Sequence, residues 1–351
     1  MQRSLKIRAL AAILLLIFVF ALAACSKGGE AGGGADTPEA PVAPEEPKEA
    51  EPEAEAPAEE PEAAPAEKRT FAIIYPVIHP FFDPVTESAE KYVAEHEGFE
   101  VIIKAPESGD VQQQVEILEN LIAMKVDGIA IGSTDADALA PIVDKAVDNG
   151  IPIITFDTDT PNSKRAGYIG TDNYNAGIHM AHVIAKHIGD KGEIIILQDV
   201  PTQLNLVDRL KGIEDTLKAE YPDIVIKDVQ AGYADPAKSV EVLEALIQGH
   251  PDFDCYSGMG GAGGPAAIAV WKAKGWTAED KKIITFDNIP ENLDALREGI
   301  ITALVSQNQH TWGEKIFEAL NTLCDGGTID EFDDTGTVEI TIDNIDTYQD
   351  S

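Results

Sequence analysis

One tetrapeptide closes a strand-like run in each half of the chain: Ile154-Thr155-Phe156-Asp157 and Ile284-Thr285-Phe286-Asp287. Around each copy, short β-branched apolar runs alternate with segments of helical periodicity. In the first half the runs are Phe71 to Tyr75, Val101 to Lys104, Gly128 to Ile131 and Ile151 to Thr155. The pattern restarts near Glu193 with Ile194 to Leu197, Ile224 to Val229, Cys255 to Ser257 and Ile283 to Phe286. Between them Val111, Val115, Leu118, Leu121 and Ile122 recur at the spacing that lines one helix face, as do Ala89, Tyr92 and Val93. A further helix is predicted over Asp137 to Asn149. Strand, helix and strand in that order make a parallel pair, and runs apolar throughout suit a sheet covered on both faces. The expectation is an α/β chain of two similar lobes, each built on a parallel sheet.

In such open sheets a ligand sits outside the carboxyl ends of the strands, so the residues just after each strand carry the information. His79-Pro80-Phe81-Phe82 follows the first strand. Two aromatic rings there suit the apolar face of a sugar ring, or one of them completes the lobe core. His79 either meets the ligand or closes the turn before Pro80. Asp157 and Asp287 occupy the same strand end in each half, where a carboxylate accepts two hydrogen bonds from vicinal hydroxyls, or caps the helix that follows.

Other features point elsewhere. Gly258-Met259-Gly260-Gly261-Ala262-Gly263 matches the dinucleotide pattern G-x-G-x-x-G between a strand and a helix, which leaves a NAD-binding enzyme as a remote alternative. The loop falls deep in the second half, not after the first strand, and its backbone N–H groups would serve a ligand oxygen equally well. His179, His182 and His187 share one helical stretch, but only the first two share a face, so no metal is expected there. Cys255 and Cys324 have no framework spacing and read as small buried residues, with a disulfide as the alternative. No nucleophile beside a base and no paired acids are found, so the chain is read as a binding protein without a cofactor and not as an enzyme.

The chain begins with Arg3, Lys6 and Arg8, an uncharged apolar run from Ala9 to Ala24, and Leu22-Ala23-Ala24-Cys25. Because its 16-residue apolar run is short of the roughly 20 needed to span a bilayer, this reads as a signal peptide over residues 1–24, with an uncleaved anchor as the alternative. Residues 26–69 hold 8 Pro, 11 Ala and 13 acidic residues with no aromatic residue, a composition that cannot bury a core and reads as an extended tether. Of the 26 basic and 62 acidic residues in the chain, 7 and 13 precede Thr70, leaving a formal net charge of −30 on residues 70–351. Such a surface repels nucleic acid and anionic lipid.

Taken together, Phe71 to Phe82, the strand end at Asp157, Gly170-Thr171-Asp172-Asn173 with Ala176-Gly177, and the strand end at Asp287 resemble the ribose-type periplasmic sugar-binding proteins. The Leu-Ala-Ala-Cys ending resembles a lipobox, which makes Cys25 the lipidated first residue of an exported lipoprotein. The resemblance implies two Rossmann-like lobes joined by a three-segment hinge near Thr171 to Asp172, Gln307 to Asn308 and Gly336 to Val338. The lobes are expected at 70–171 plus 308–336 and at 172–307 plus 337–351, with Cys25 and the tether occupying 25–69. Position by position it puts stacking rings on Phe81 and Phe82, carboxylates on Asp157 and Asp287, a facing aromatic on Tyr233, a hinge-side amide on Gln307, and Asn205 and Arg209 in an Asn-x-x-x-Arg pattern. Arg209 then bridges sugar oxygens and a carboxylate, or forms a salt bridge beneath the site.

The implied function is an extracytoplasmic, lipid-anchored monomer that captures a sugar by hinge closure and delivers it to an ABC importer permease. A ligand-sensing lipoprotein for chemotaxis or signalling, with an autoinducer-2-like or nucleoside ligand, is the alternative. The sequence departs from the ribose pattern at His79, where an Asn is usual, and at Thr158 and Val207, where arginines would reach the ligand. It departs again at Gly260, where an Asn would. These changes predict a roomier pocket and a sugar-like ligand other than ribose.

Overall fold

The computed structural model describes residues 68–106, 109–201 and 203–348. The expected signal peptide, Cys25 and nearly all of the tether therefore lie outside the described residues. One sheet contains β1 (Arg69–Ile74), β2 (Phe99–Lys104), β3 (Gly128–Ile131), β4 (Ile153–Phe156), β5 (Tyr168–Gly170) and β11 (Phe332–Asp334) in the order β11-β5-β4-β3-β1-β2. The other contains β6 (Lys191–Gln198), β7 (Asp223–Ala231), β8 (Cys255–Gly258), β9 (Lys282–Phe286), β10 (Ala303–Ser306) and β12 (Val338–Ile340) in the order β12-β10-β9-β8-β6-β7. Every neighbouring pair is parallel except β10 with β12. The first lobe carries α1 (Asp83–Glu95), α2 (Val111–Met124), α3 (Ala136–Asp148) and α9 (Trp312–Cys324). The second carries α4 (Asn173–Ile188), α5 (Leu204–Glu220), α6 (Pro236–Gly249), α7 (Gly263–Lys274) and α8 (Pro290–Arg297).

The expected α/β fold of two lobes is thus present, with the same strand order repeated in each. Inner strands β3, β4, β8 and β10 are buried along their whole length, as two covered faces require. The edge strands are not. In β2, Glu100 and Lys104 are exposed, and in β7 Asp223, Val225, Lys227 and Gln230 are, because an edge has only one neighbour. Charge on such an edge discourages pairing with another chain. The first strand also starts two residues before Phe71. Arg69 pairs its backbone with Gly98 and its guanidinium with Asn321 and Asp325, so it belongs to the first lobe and not to the tether.

Part of the acidity has a local purpose. Asp110, Asp135, Asp172 and Asp235 each precede a helix and accept from a backbone N–H three residues on, at Gln113, Ala138, Asn175 and Lys238. Each such cap is worth about 1 kcal/mol.

The chain crosses between the sheets at 171–172, at 307–308 and at 335–337, and these segments are laced together. Thr335 donates its N–H to the Gly170 carbonyl at 2.8 Å, Asp172 donates its N–H to Asp334 Oδ1 at 3.0 Å, and Asn308 Nδ2 donates to the Thr335 carbonyl at 2.9 Å. Where α4 meets α5, Gly177 and Gly212 face each other, and a Cβ on either would overlap the Arg209 or Tyr174 carbonyl oxygen. Cys255 and Cys324 are free thiols in separate lobes.

Candidate functional site

The repeated tetrapeptide places an aspartate at the carboxyl end of β4 and of β9. Both adopt left-handed backbone, with φ 59° at Asp157 and 74° at Asp287, a conformation aspartate tolerates better than most side chains. Their N–H groups bond the neighbouring strand at the Ile169 and Val305 carbonyls. The carboxylates then diverge. Asp287 is buried and accepts from Gln307 Nε2 at 2.9 Å. Asp157 is half-buried; Tyr168 Oη donates to its backbone carbonyl at 2.8 Å, and no described residue donates to its carboxylate. Burial, with repulsion from Asp287 across the cleft, pushes the Asp157 carboxyl up to about 7, while Arg209 pulls the other way. Burial also raises Asp287, opposed by Arg209, Gln307 and His79.

Arg209 is a buried cation of this cleft, 2% exposed. Nη1 donates to the Met259 carbonyl at 2.5 Å, and Nη2 donates to Asn173 Oδ1 at 2.7 Å and Gln307 Oε1 at 3.2 Å. Its Cζ lies 3.7 Å above the Phe286 ring, a stacked cation on an aromatic face. Nε is buried without a partner. No carboxylate pairs with Arg209 among the described residues, so its partners here are neutral acceptors. Gln307, accepting from Arg209 and donating to Asp287, ties the guanidinium to the second lobe's carboxylate.

The other expected residues divide. His79 caps the 3-10 turn Pro80–Phe82, its Nδ1 accepting from the Phe81 N–H at 3.2 Å. It also reaches across the cleft, since a Cβ on Gly261 would lie 3.0 Å from its Cε1. Phe81 and Phe82 are both 5% exposed and both join the aromatic core of the first lobe. Phe82 stacks on Tyr75 at 4.6 Å, and Phe81 meets Trp312 edge-on at 5.7 Å. Asn205 and Asp157 line one cavity of about 410 Å³ beside the hinge, together with Asn173, Tyr168 and Asp208. Tyr233 is 63% exposed in the loop after β7, its N–H bonding the Asp199 carbonyl. Thr158 turns away to donate to the Ser133 carbonyl, and Val207 is exposed on α5. A larger cavity of about 750 Å³ lies at the opposite end of the first sheet, near Arg69, Asp127 and Cys324. It is not at the carboxyl ends where such sheets bind ligands.

One cleft residue escaped the sequence reading. Asp199 follows β6, which runs to Gln198 and not to Leu197, so the strand-end rule marks it once the boundary is right. It is 9% exposed, and Oδ1 is buried with no partner. The Ala262 N–H donates weakly to Oδ2 at 3.4 Å. A Cβ on Gly260 would come within 2.5 Å of Oδ2. The space expected to widen the pocket at Gly260 is therefore taken by the Asp199 carboxylate. Burial raises this carboxyl to about 6, with Asp287 adding to the rise and Arg209, Ala262 and Gly261 opposing it.

The glycine pattern has the same explanation. Gly258 and Gly263 pack against each other and Thr285, and Gly260 and Gly261 admit Asp199 and His79. The three helix histidines go to separate partners, His179 to Thr337, His182 to Glu220 and His187 to Glu339. Among the described residues no group of three or more His, Cys, Asp or Glu side chains is placed to hold a metal ion. What the cleft offers is a set of acceptors around one stacked guanidinium, in position to hold a ligand rich in hydrogen-bond donors.

Residues 71–328 match a family model described as a periplasmic binding protein domain. The D-ribose/D-allose-binding protein of Pseudomonas aeruginosa is 28% identical over 289 residues, covering 79% of this chain and 88% of that one. An ABC transporter solute-binding protein from Burkholderia graminis, solved in complex with D-arabinose, is 31% identical with a TM-score of 0.75, over 82% of this chain and 99% of that one. A sugar-binding protein of a sugar ABC transporter from Bacillus halodurans is 29% identical with a TM-score of 0.75, over 80% and 100%.

Proposed function

The chain belongs to the periplasmic binding protein domain family, and from that premise we propose that it captures a sugar outside the cytoplasm and delivers it to an ABC importer. The observation that carries this reading is the pair Asp157 and Asp287, one from each lobe at the same strand end with the same left-handed backbone, near enough across the cleft that the charge of Asp287 raises the proton affinity of Asp157. Two carboxylates on opposing lobes serve a ligand that presents hydroxyl donors on both sides. The relatives bind ribose, allose and arabinose, which have that form. Closing the lobes removes water from Asp157, and a bound hydroxyl replaces it as the donor that the apo cleft lacks.

In this reading Asp157, Asp287, Arg209 and Asn205 contact the ligand and Gln307 holds the polar half in register. His79 closes the cleft against Gly261. Phe81 and Phe82 wall its apolar side, and Tyr233 covers its mouth when the lobes tighten. The domain works as a monomer, tethered through a lipid on Cys25 within reach of the permease.

A thermal-shift screen against pentoses, hexoses, disaccharides and polyols tests the site, because a ligand that binds only the folded chain raises its Tm. At least one sugar should shift it, and Asp287→Ala should abolish the shift while keeping a cooperative transition. A screen without any shift overturns the assignment. Labelling cells with a radioactive fatty acid tests the anchor: the wild-type chain should carry label and Cys25→Ser should not.

A further inference from the structure

Resting on the sugar-binding reading, we propose that the ligand is an amino-substituted sugar or polyol and that Asp199 receives its ammonium group. Around the guanidinium of Arg209, whose direct partners are Met259, Asn173 and Gln307, stand the carboxylates Asp157, Asp199 and Asp287, while Arg165, which lines the adjoining cavity, is taken up by its ion pair with Asp159. Asp287 has Gln307 as a neutral donor, while Asp157 has no described donor at all. Asp199 lies more than nine-tenths buried, with Oδ1 neither solvated nor bonded.

A buried carboxylate oxygen without a donor destabilises the fold, so its retention calls for a ligand that satisfies it. Asp199 stands where β6 ends, against Gly260 and the Ala262 N–H, and the adjoining Gly261 touches His79 of the first lobe. The carboxylate therefore sits beside the place where the lobes meet, near enough to Asp287 to feel its charge. Asp287, Arg209 and Tyr256 are the other ionisable groups whose charge reaches it. A neutral hydroxyl would satisfy the oxygen but leave two carboxylates in excess. An ammonium supplies several donors and the missing positive charge in one group, and charge-assisted bonds are the stronger kind. Burial is the main cause of the raised proton affinity of Asp157 and Asp199, and the charge of Asp287 adds to both.

The test is calorimetric titration at pH 7.5 with D-glucosamine, D-galactosamine and D-mannosamine, each beside its parent hexose and its N-acetyl form. At least one amine should bind about tenfold or more tightly than both neutral counterparts. Asp199→Asn should cut that ratio about tenfold, as should lowering the pH to 5, where the carboxyls take up protons. Asparagine keeps the shape and removes an uncompensated charge. Gly260→Ala, which displaces the Asp199 carboxylate, gives a second route to the same loss. A parent hexose binding as tightly as its amine, or a ratio that survives in both variants, overturns the inference and leaves sugar binding standing. Binding of neither overturns the sugar reading for these hexoses along with it.

Discussion

The two lobes end the same strand in the same residue with the same backbone twist, and then treat its carboxylate in opposite ways. In the second lobe Asp287 is tied through Gln307 to a guanidinium that lies on Phe286. In the first lobe Phe156 faces Tyr75, Phe82 and Trp312 instead, and Asp157 stands without a side-chain donor. The repeated scaffold decides where an aspartate sits. The residues inserted around it decide what its charge costs, so the second lobe is an organised polar half and the first an aromatic half with one open acceptor.

The largest test of that contrast is Arg209→Met. It removes the cation while leaving Asp287 and Asp199 buried, and should destabilise the chain by about 3–5 kcal/mol in denaturant unfolding followed by tryptophan fluorescence. A smaller loss would mean that the second lobe is not arranged around its guanidinium. Gln307→Leu comes next, since it deprives both Arg209 Nη2 and Asp287 Oδ1 of a partner. The expected cost is about 1–3 kcal/mol by the same measurement, with no residue of the first lobe in an equivalent position.

The smallest effect belongs to the open acceptor. The Asp157 carboxyl, at about 7, sits above its ordinary value near 4, so the folded state holds the proton more tightly than the unfolded one. That contribution to stability is complete below about pH 4 and is lost as pH rises toward 7. Asp157→Asn does not titrate. The unfolding free energies of variant and wild type, normalised to their difference at pH 4, should separate in favour of the variant by pH 8, by on the order of 1 kcal/mol given partial solvation. A constant difference across that range would place Asp157 in open water and erase the contrast between the lobes.

The parallel sheets and the strand ends at 157 and 287 were legible because each leaves a local mark, an apolar run or a repeated tetrapeptide, whereas the three hinge segments came only from the family resemblance. Asp199 was hidden by a strand boundary one residue short, and boundaries are where periodicity is weakest. Gly260 misled for a different reason. A glycine shows that a side chain is missing, but not which neighbour fills the gap, and here the neighbour is 61 residues earlier in the chain. The aromatic pair Phe81 and Phe82 suited both ligand and core, and only three-dimensional packing shows how much of each ring the core has taken.

The meeting of Gly177 and Gly212 has a mechanical consequence. Gly177 backs directly onto the Arg209 carbonyl, so α4, which starts at the hinge, cannot slide along α5 without a steric clash. Arg209, Asn173 and Met259 thus travel as one rigid block when the lobes swing, and Asp157 is the charge left on the other shore. An empty cleft that shuts must push that aspartate against Asp287 and Asp199, and so the molecule resists idling in the closed state until a cargo rich in donors lowers the toll.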